Sequence, residues 1–116
     1  MSTTLPLQAL TPDVCVAPQL TPEAMAEVAA AGFRSVVNNR PDFEGGTDQP
    51  TSAQIEAAAL AAGLSYAHLP VQGGYQSPEE IAQFADLLAE LPRPLLAFCR
   101  SGARSSKLFA AAQQLG

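Results

Sequence analysis

Leu95–Ser105 reads LLAFCRSGARS. The first four residues are all apolar, as expected of a short central strand covered on both faces. Cys99-Arg100-Ser101-Gly102-Ala103-Arg104-Ser105 then leads into a helix predicted from Ser105 to Leu115. Open α/β sheets bind ligands at such a place, the carboxyl end of a strand. A loop of this length can turn consecutive backbone N–H groups toward one point, and the helix N-terminus adds its own unpaired N–H groups and dipole. Gly102 permits a backbone angle that a side chain blocks, while Arg104 offers a planar fork that matches phosphate or thiosulfate. In those surroundings the Cys99 thiol loses its proton readily. The reading is a nucleophilic Cys99 in an anion pocket, with Arg100, Ser101, Gly102, Ala103 and Ser105 as the other substrate-binding positions. The plainer alternative is a buried strand-end cysteine before an ordinary basic helix start.

Upstream, Leu7 to Ala17 holds Val14-Cys15-Val16, a strand or strand pair. Thr21-Pro22-Glu23 opens a helix that stops at Gly32. Phe33 to Asn38 (FRSVVN) predicts a buried strand, and NRPDFEGGTDQP, from Asn39 to Pro50, a polar loop. A second helix runs from Thr51 or Ser52 to Ala62, and Leu64 to Val71 is the next strand. Ser77-Pro78-Glu79-Glu80 is a capping box, and the helix behind it carries Ile81, Phe84, Leu87, Leu88 and Leu91 as an apolar stripe. Strands and helices alternate. That order predicts a single α/β domain over residues 1–116, with a largely parallel central sheet flanked by helices.

A chain of 116 residues is the size of one small domain, and 47% apolar with 15% charged residues describes a globular one. The net charge of −5 argues against nucleic acid or an anionic membrane as a partner. After Glu90 no acidic side chain remains, while Arg93, Arg100, Arg104 and Lys107 give the last 26 residues +4, which points to a small anion there. No export signal precedes Leu20 and no apolar run approaches the roughly 20 residues of a membrane span. Cys15 and Cys99 are therefore expected to be reduced thiols in the cytoplasm. The lone His68 makes no metal site, and no cofactor is expected.

Cys-x4-Arg between a strand and a helix resembles the active-site loop of rhodaneses and cysteine-dependent phosphatases. Together with APQL (Ala17–Leu20), AAGFRSVVNNRPD (Ala30–Asp42), SYAHLPV (Ser65–Val71) and FCRSGARS (Phe98–Ser105), it makes the chain similar to the phosphatase-like domain of the beta-lactamase-hydrolase-like proteins. The resemblance implies a cysteine-phosphatase-like fold. It also implies sulfur handling, because some such domains are fused to a persulfide dioxygenase, a possible partner here.

Related phosphatases carry His-Cys-x5-Arg; here the ring is one residue shorter and Phe98 replaces the His. Their acidic residue lies in the loop that here reads Gln72-Gly73-Gly74-Tyr75-Gln76, without a carboxylate; Asp42, Glu44 and Asp48 are the possible substitutes. A phosphatase gains roughly 10²–10⁴ in rate from such an acid, whereas sulfite and thiolates leave without one. The expected function is a sulfurtransferase, an enzyme carrying sulfane sulfur from thiosulfate or a small persulfide to a thiol such as glutathione. A cysteine-dependent phosphatase (a hydrolase on the same loop) and a non-catalytic anion- or persulfide-binding module are the alternatives. His68 reads as a core or supporting histidine, Cys15 as a small buried hydrophobe, and Arg40 and Asp42 as pocket-lining residues or an Arg–Asp pair.

Overall fold

The computed structural model describes residues 5–115. Its apolar runs become strands because their side chains find cover on both sides. β1 (Gln8–Thr11) and β2 (Val14–Ala17) form a hairpin, and β3 (Ser35–Asn38), β4 (Ser65–His68) and β5 (Leu95–Phe98) complete a sheet of order β1-β2-β5-β3-β4. Only β1 is antiparallel to its neighbour. On one face Val14, Val16, Val37, Leu95 and Ala97 meet Phe84 and Leu88 of α3 (Pro78–Glu90) and Leu108 and Phe109 of α4 (Ala103–Leu115). On the other, Ala17, Val36, Leu96 and Phe98 meet Met25 and Val28 of α1 (Ala24–Ala30) and Ile55 and Ala59 of α2 (Ser52–Ala61). Successive β5 residues thus serve opposite cores, which is why LLAF is apolar throughout.

The β2–α1–β3 and β3–α2–β4 connections run outward along one face. α3 then returns the chain beneath the other face, so that β5 enters between β2 and β3. In register, Ala17, Phe98 and Asn38 end side by side, and the segment after β5 emerges in the crevice where the strand order reverses.

Element ends depart from the sequence reading in definite ways. α1 starts after Glu23, and Thr21 Oγ1 instead closes the preceding turn by accepting from the Ala24 amide at 3.2 Å. β3 begins at Ser35, because the Arg34 and Ser35 amides both donate to the Pro94 carbonyl. β4 stops at His68, ahead of Pro70, which has no amide for a ladder. α4 begins at Ala103, before Ser105, directly after the left-handed Gly102 (φ 93°).

Candidate active site

The cysteine loop is tied down on both sides. The Cys99 amide donates to the Ala17 carbonyl at 3.3 Å, the Gln19 amide to the Arg100 carbonyl at 3.2 Å, and the Asn39 amide to the Phe98 carbonyl at 2.8 Å. Within that frame the positive φ of Gly102 turns its own amide back onto the Cys99 sulfur, 3.0 Å from Sγ. Burial pushes the Cys99 thiol up. The amides of Ser105 and Ser101, the Ser105 hydroxyl and the Gly102 amide more than offset that, and the thiol lies below the ordinary cysteine value. Main-chain dipoles and one hydroxyl therefore favour the thiolate. Cys99 itself is 1% exposed; its sulfur sits at the floor of the loop.

Arg104 is nine-tenths buried in the first turn of α4. Its Nη1 donates to the Val71 carbonyl at 3.0 Å and pairs with Glu44 Oε2 at 3.1 Å, while Nη2 donates to Glu44 Oε1, also at 3.1 Å. The end-on edge of the guanidinium, which the sequence reading assigned to the anion, is thus held by the protein's own carboxylate. Nε is buried and has no partner at all. Gly73 explains how the loop after β4 comes so close: a Cβ there stands 3.2 Å from Arg104 Nη2, so a side chain presses on the guanidinium.

Glu44 comes from the loop between β3 and α2, just after Phe43 turns the chain at φ 64°. Its Oε1 also accepts from Arg40 Nε at 2.9 Å. Partial burial raises the Glu44 carboxyl, but hydrogen bonds and charge from Arg40 and Arg104 bring it below the usual carboxylate value. Glu44 is therefore ionised and no proton donor at neutral pH. Arg40 pairs with Glu44 and not with Asp42, whose Oδ1 accepts from the Ser52 amide at 2.7 Å at the start of α2. His68 Nε2 donates to the Arg40 carbonyl at 2.9 Å, a supporting role. Cys15 is half-buried on the α1–α2 face.

Of the residues singled out in the sequence, Cys99, Gly102 and Ser105 come together and are buried, Arg104 is buried against Val71 and Glu44, and Arg100, Ser101 and Ala103 are exposed, the last at the start of α4. The positive charge near the C-terminus is not all gathered here. Arg93 precedes β5, at the end opposite Cys99, and pairs with Asp13 at 3.0 Å. Arg40 supplies a charge that the count had placed elsewhere. Among the described residues no group of three His, Cys, Asp or Glu side chains is placed to hold a metal ion, and no helix is long and apolar enough to cross a membrane.

Comparison with known proteins bears on the fold and the family. A candidate phosphatase of Neisseria meningitidis Z2491 superposes with a TM-score of 0.82 at 31% identity, over 92% of this chain and 75% of that one. The core catalytic domain of the PP-IP phosphatase SIW14 from S. cerevisiae superposes at 0.75 and 12% identity, over 98% and 69%, which speaks for the fold alone. The beta-lactamase hydrolase-like protein of Agrobacterium fabrum is 36% identical over 88 residues, covering 76% of this chain and 20% of that protein. Its namesake from Xylella fastidiosa (strain Temecula1) is 38% identical over 82 residues, covering 71% and 19%. The chain thus spans about a fifth of these relatives' length. Residues 6–116 match the family model for the phosphatase-like domain of beta-lactamase hydrolase-like proteins. With its cysteine-phosphatase-like fold, the chain belongs to that family.

Proposed function

We propose that the domain is a sulfurtransferase working through a Cys99 persulfide. The observation that carries this reading is a cysteine held below its ordinary value, with no protonated acid placed beside it among the described residues. Amides lower the Cys99 thiol, Arg104 Nε is left open, and the one carboxylate that touches Arg104 among the described residues is held ionised. The Cys99 thiolate attacks the sulfane sulfur of thiosulfate. The new S–S bond forms as the old one breaks, and sulfite departs with the electron pair. Arg104 Nε and the amides of Ser101, Gly102 and Ser105 receive the donor's negative charge and then that of the persulfide, with Arg100 steering the donor from the rim. An acceptor thiolate, such as that of glutathione, takes the outer sulfur and restores the Cys99 thiolate. No step needs a proton donor. The outer sulfur also stands about 2 Å beyond Sγ, which suits a nucleophile recessed at the floor of its loop.

The fold favours a second reading, a phosphatase forming a phosphocysteine on the same loop. That chemistry calls for an acid on the leaving oxygen, which Glu44 does not supply. Incubation with thiosulfate and, separately, with p-nitrophenyl phosphate discriminates the two. The expected result is a mass gain of one sulfur atom on Cys99, absent in Cys99→Ser, with negligible phosphate release. Phosphate release that depends on Cys99, without sulfur uptake, overturns the proposal.

A further inference from the structure

Asn39 and Ser105 are both fully buried behind the cysteine loop and are joined to each other by a hydrogen bond. Ser105 Oγ donates to Asn39 Oδ1 at 2.8 Å. The Asn39 amide cannot be turned the other way. Its Nδ2 donates to the Leu69 carbonyl at 3.1 Å, a group with no hydrogen to give. The same Ser105 hydroxyl also lies within hydrogen-bonding reach of the Cys99 sulfur. A serine hydroxyl has a single hydrogen. Turning it to the sulfur leaves Asn39 Oδ1 buried without a donor, and that costs free energy.

We propose that Asn39 is a positioning residue that competes with Cys99 for the Ser105 hydrogen, and so limits how strongly the pocket stabilises the thiolate. In the thiolate the hydroxyl turns to the sulfur. In the persulfide the charge has moved to the outer sulfur, and the hydroxyl returns to Asn39. Such restraint suits a nucleophile, because a thiolate loses attacking power as it becomes more stable. The proposal rests on Cys99 being the nucleophile named above.

The charged and titratable groups around the loop are Arg100 and Arg104 on the loop and α4, Arg40 and Glu44 between β3 and α2, and His68 on β4; the variants leave them all in place. The test is the pH profile of Cys99 alkylation by iodoacetamide, followed by peptide mass so that Cys15 is read separately. In Asn39→Ala the midpoint moves to lower pH, with alkylation on the acidic limb about two- to fivefold faster. In Ser105→Ala it moves to higher pH, and the double variant behaves as Ser105→Ala. An Asn39→Ala profile that does not move down, or one that moves equally without Ser105, overturns the proposal. Should Asn39→Ala not fold, Asn39→Asp keeps the shape and the acceptor for Ser105, while losing the donor to the Leu69 carbonyl both with and without Ser105. Its midpoint moves to higher pH by more with Ser105 present than in Ser105→Ala, and equal displacements overturn the proposal. No sulfur donor is present in this experiment, so its failure and the failure of sulfur transfer are separate results.

Discussion

Arg104 has five N–H donors, and their assignments show how a single side chain is aimed. Val71 and Glu44 hold the two terminal nitrogens, while Nε is buried without a partner, near Gly73. Glu44→Gln removes the charge that holds this orientation. The expected outcome is about a tenfold loss in thiosulfate kcat/KM, worth about 1.4 kcal/mol, whereas Glu90→Gln, far down α3, leaves it unchanged. Stability should follow the same residue with a definite sign. The folded-state carboxyl lies below its unfolded value, so its stabilisation is present above the unfolded value and disappears as pH falls through the folded one. Wild type should exceed Glu44→Gln in Tm at about pH 7, and the gap should close toward about pH 3; a gap that persists in acid contradicts the assignment. Sequence alone could not single out Glu44 from Asp42 and Asp48, because a loop without periodicity gives no register for its side chains. Cys99, Gly102 and Arg104 were legible because each has a backbone or charge requirement that the strand-to-helix transition makes specific.

Among the helices, α3 shows most plainly how local chemistry sets an end. The Glu80 amide donates to Ser77 Oγ at 3.1 Å, and Glu80 Oε1 accepts from the Ser77 amide at 2.8 Å. Pro78 occupies the first turn, where its missing N–H costs nothing. Ser77→Ala should lower stability by about 1 kcal/mol, or about 4 °C in Tm, without moving the Cys99 alkylation profile. An altered profile means that α3 reaches the site more directly than its contacts indicate. This cap was legible in the sequence because both bonds join residues three apart; the α2 start was placed to Thr51 or Ser52, and the helix begins at Ser52 with Thr51 as its cap. The β4 end was not, since the ladder's length depends on β3, a strand distant in sequence.

At the scale of the molecule, alternation of strands and helices was enough to predict a mostly parallel α/β sheet, and the all-apolar LLAF run placed its central strand. The +4 segment misled, because charge counted along the chain ignores the sheet: β5 separates Arg93 from Arg104 by its whole length. Phe98, wholly buried against the α1–α2 face at the point where β5 gives way to Cys99, joins fold to site. Phe98→Ala should cost about 3–5 kcal/mol in denaturant unfolding, and a cost under about 1 kcal/mol contradicts its place in the core.

The position of β5 also bears on how the chain is made. It follows the other four described strands in sequence and yet lies in the middle of their sheet, with β2 on one side and β3 on the other. Until it leaves the ribosome, these four strands can form only two unjoined half-sheets, the β1–β2 hairpin and the β3–β4 pair. Their pairing edges stay open to aggregation. One late insertion then closes the gap and delivers Cys99, so the thiol has no earlier, half-built cradle in which to sit.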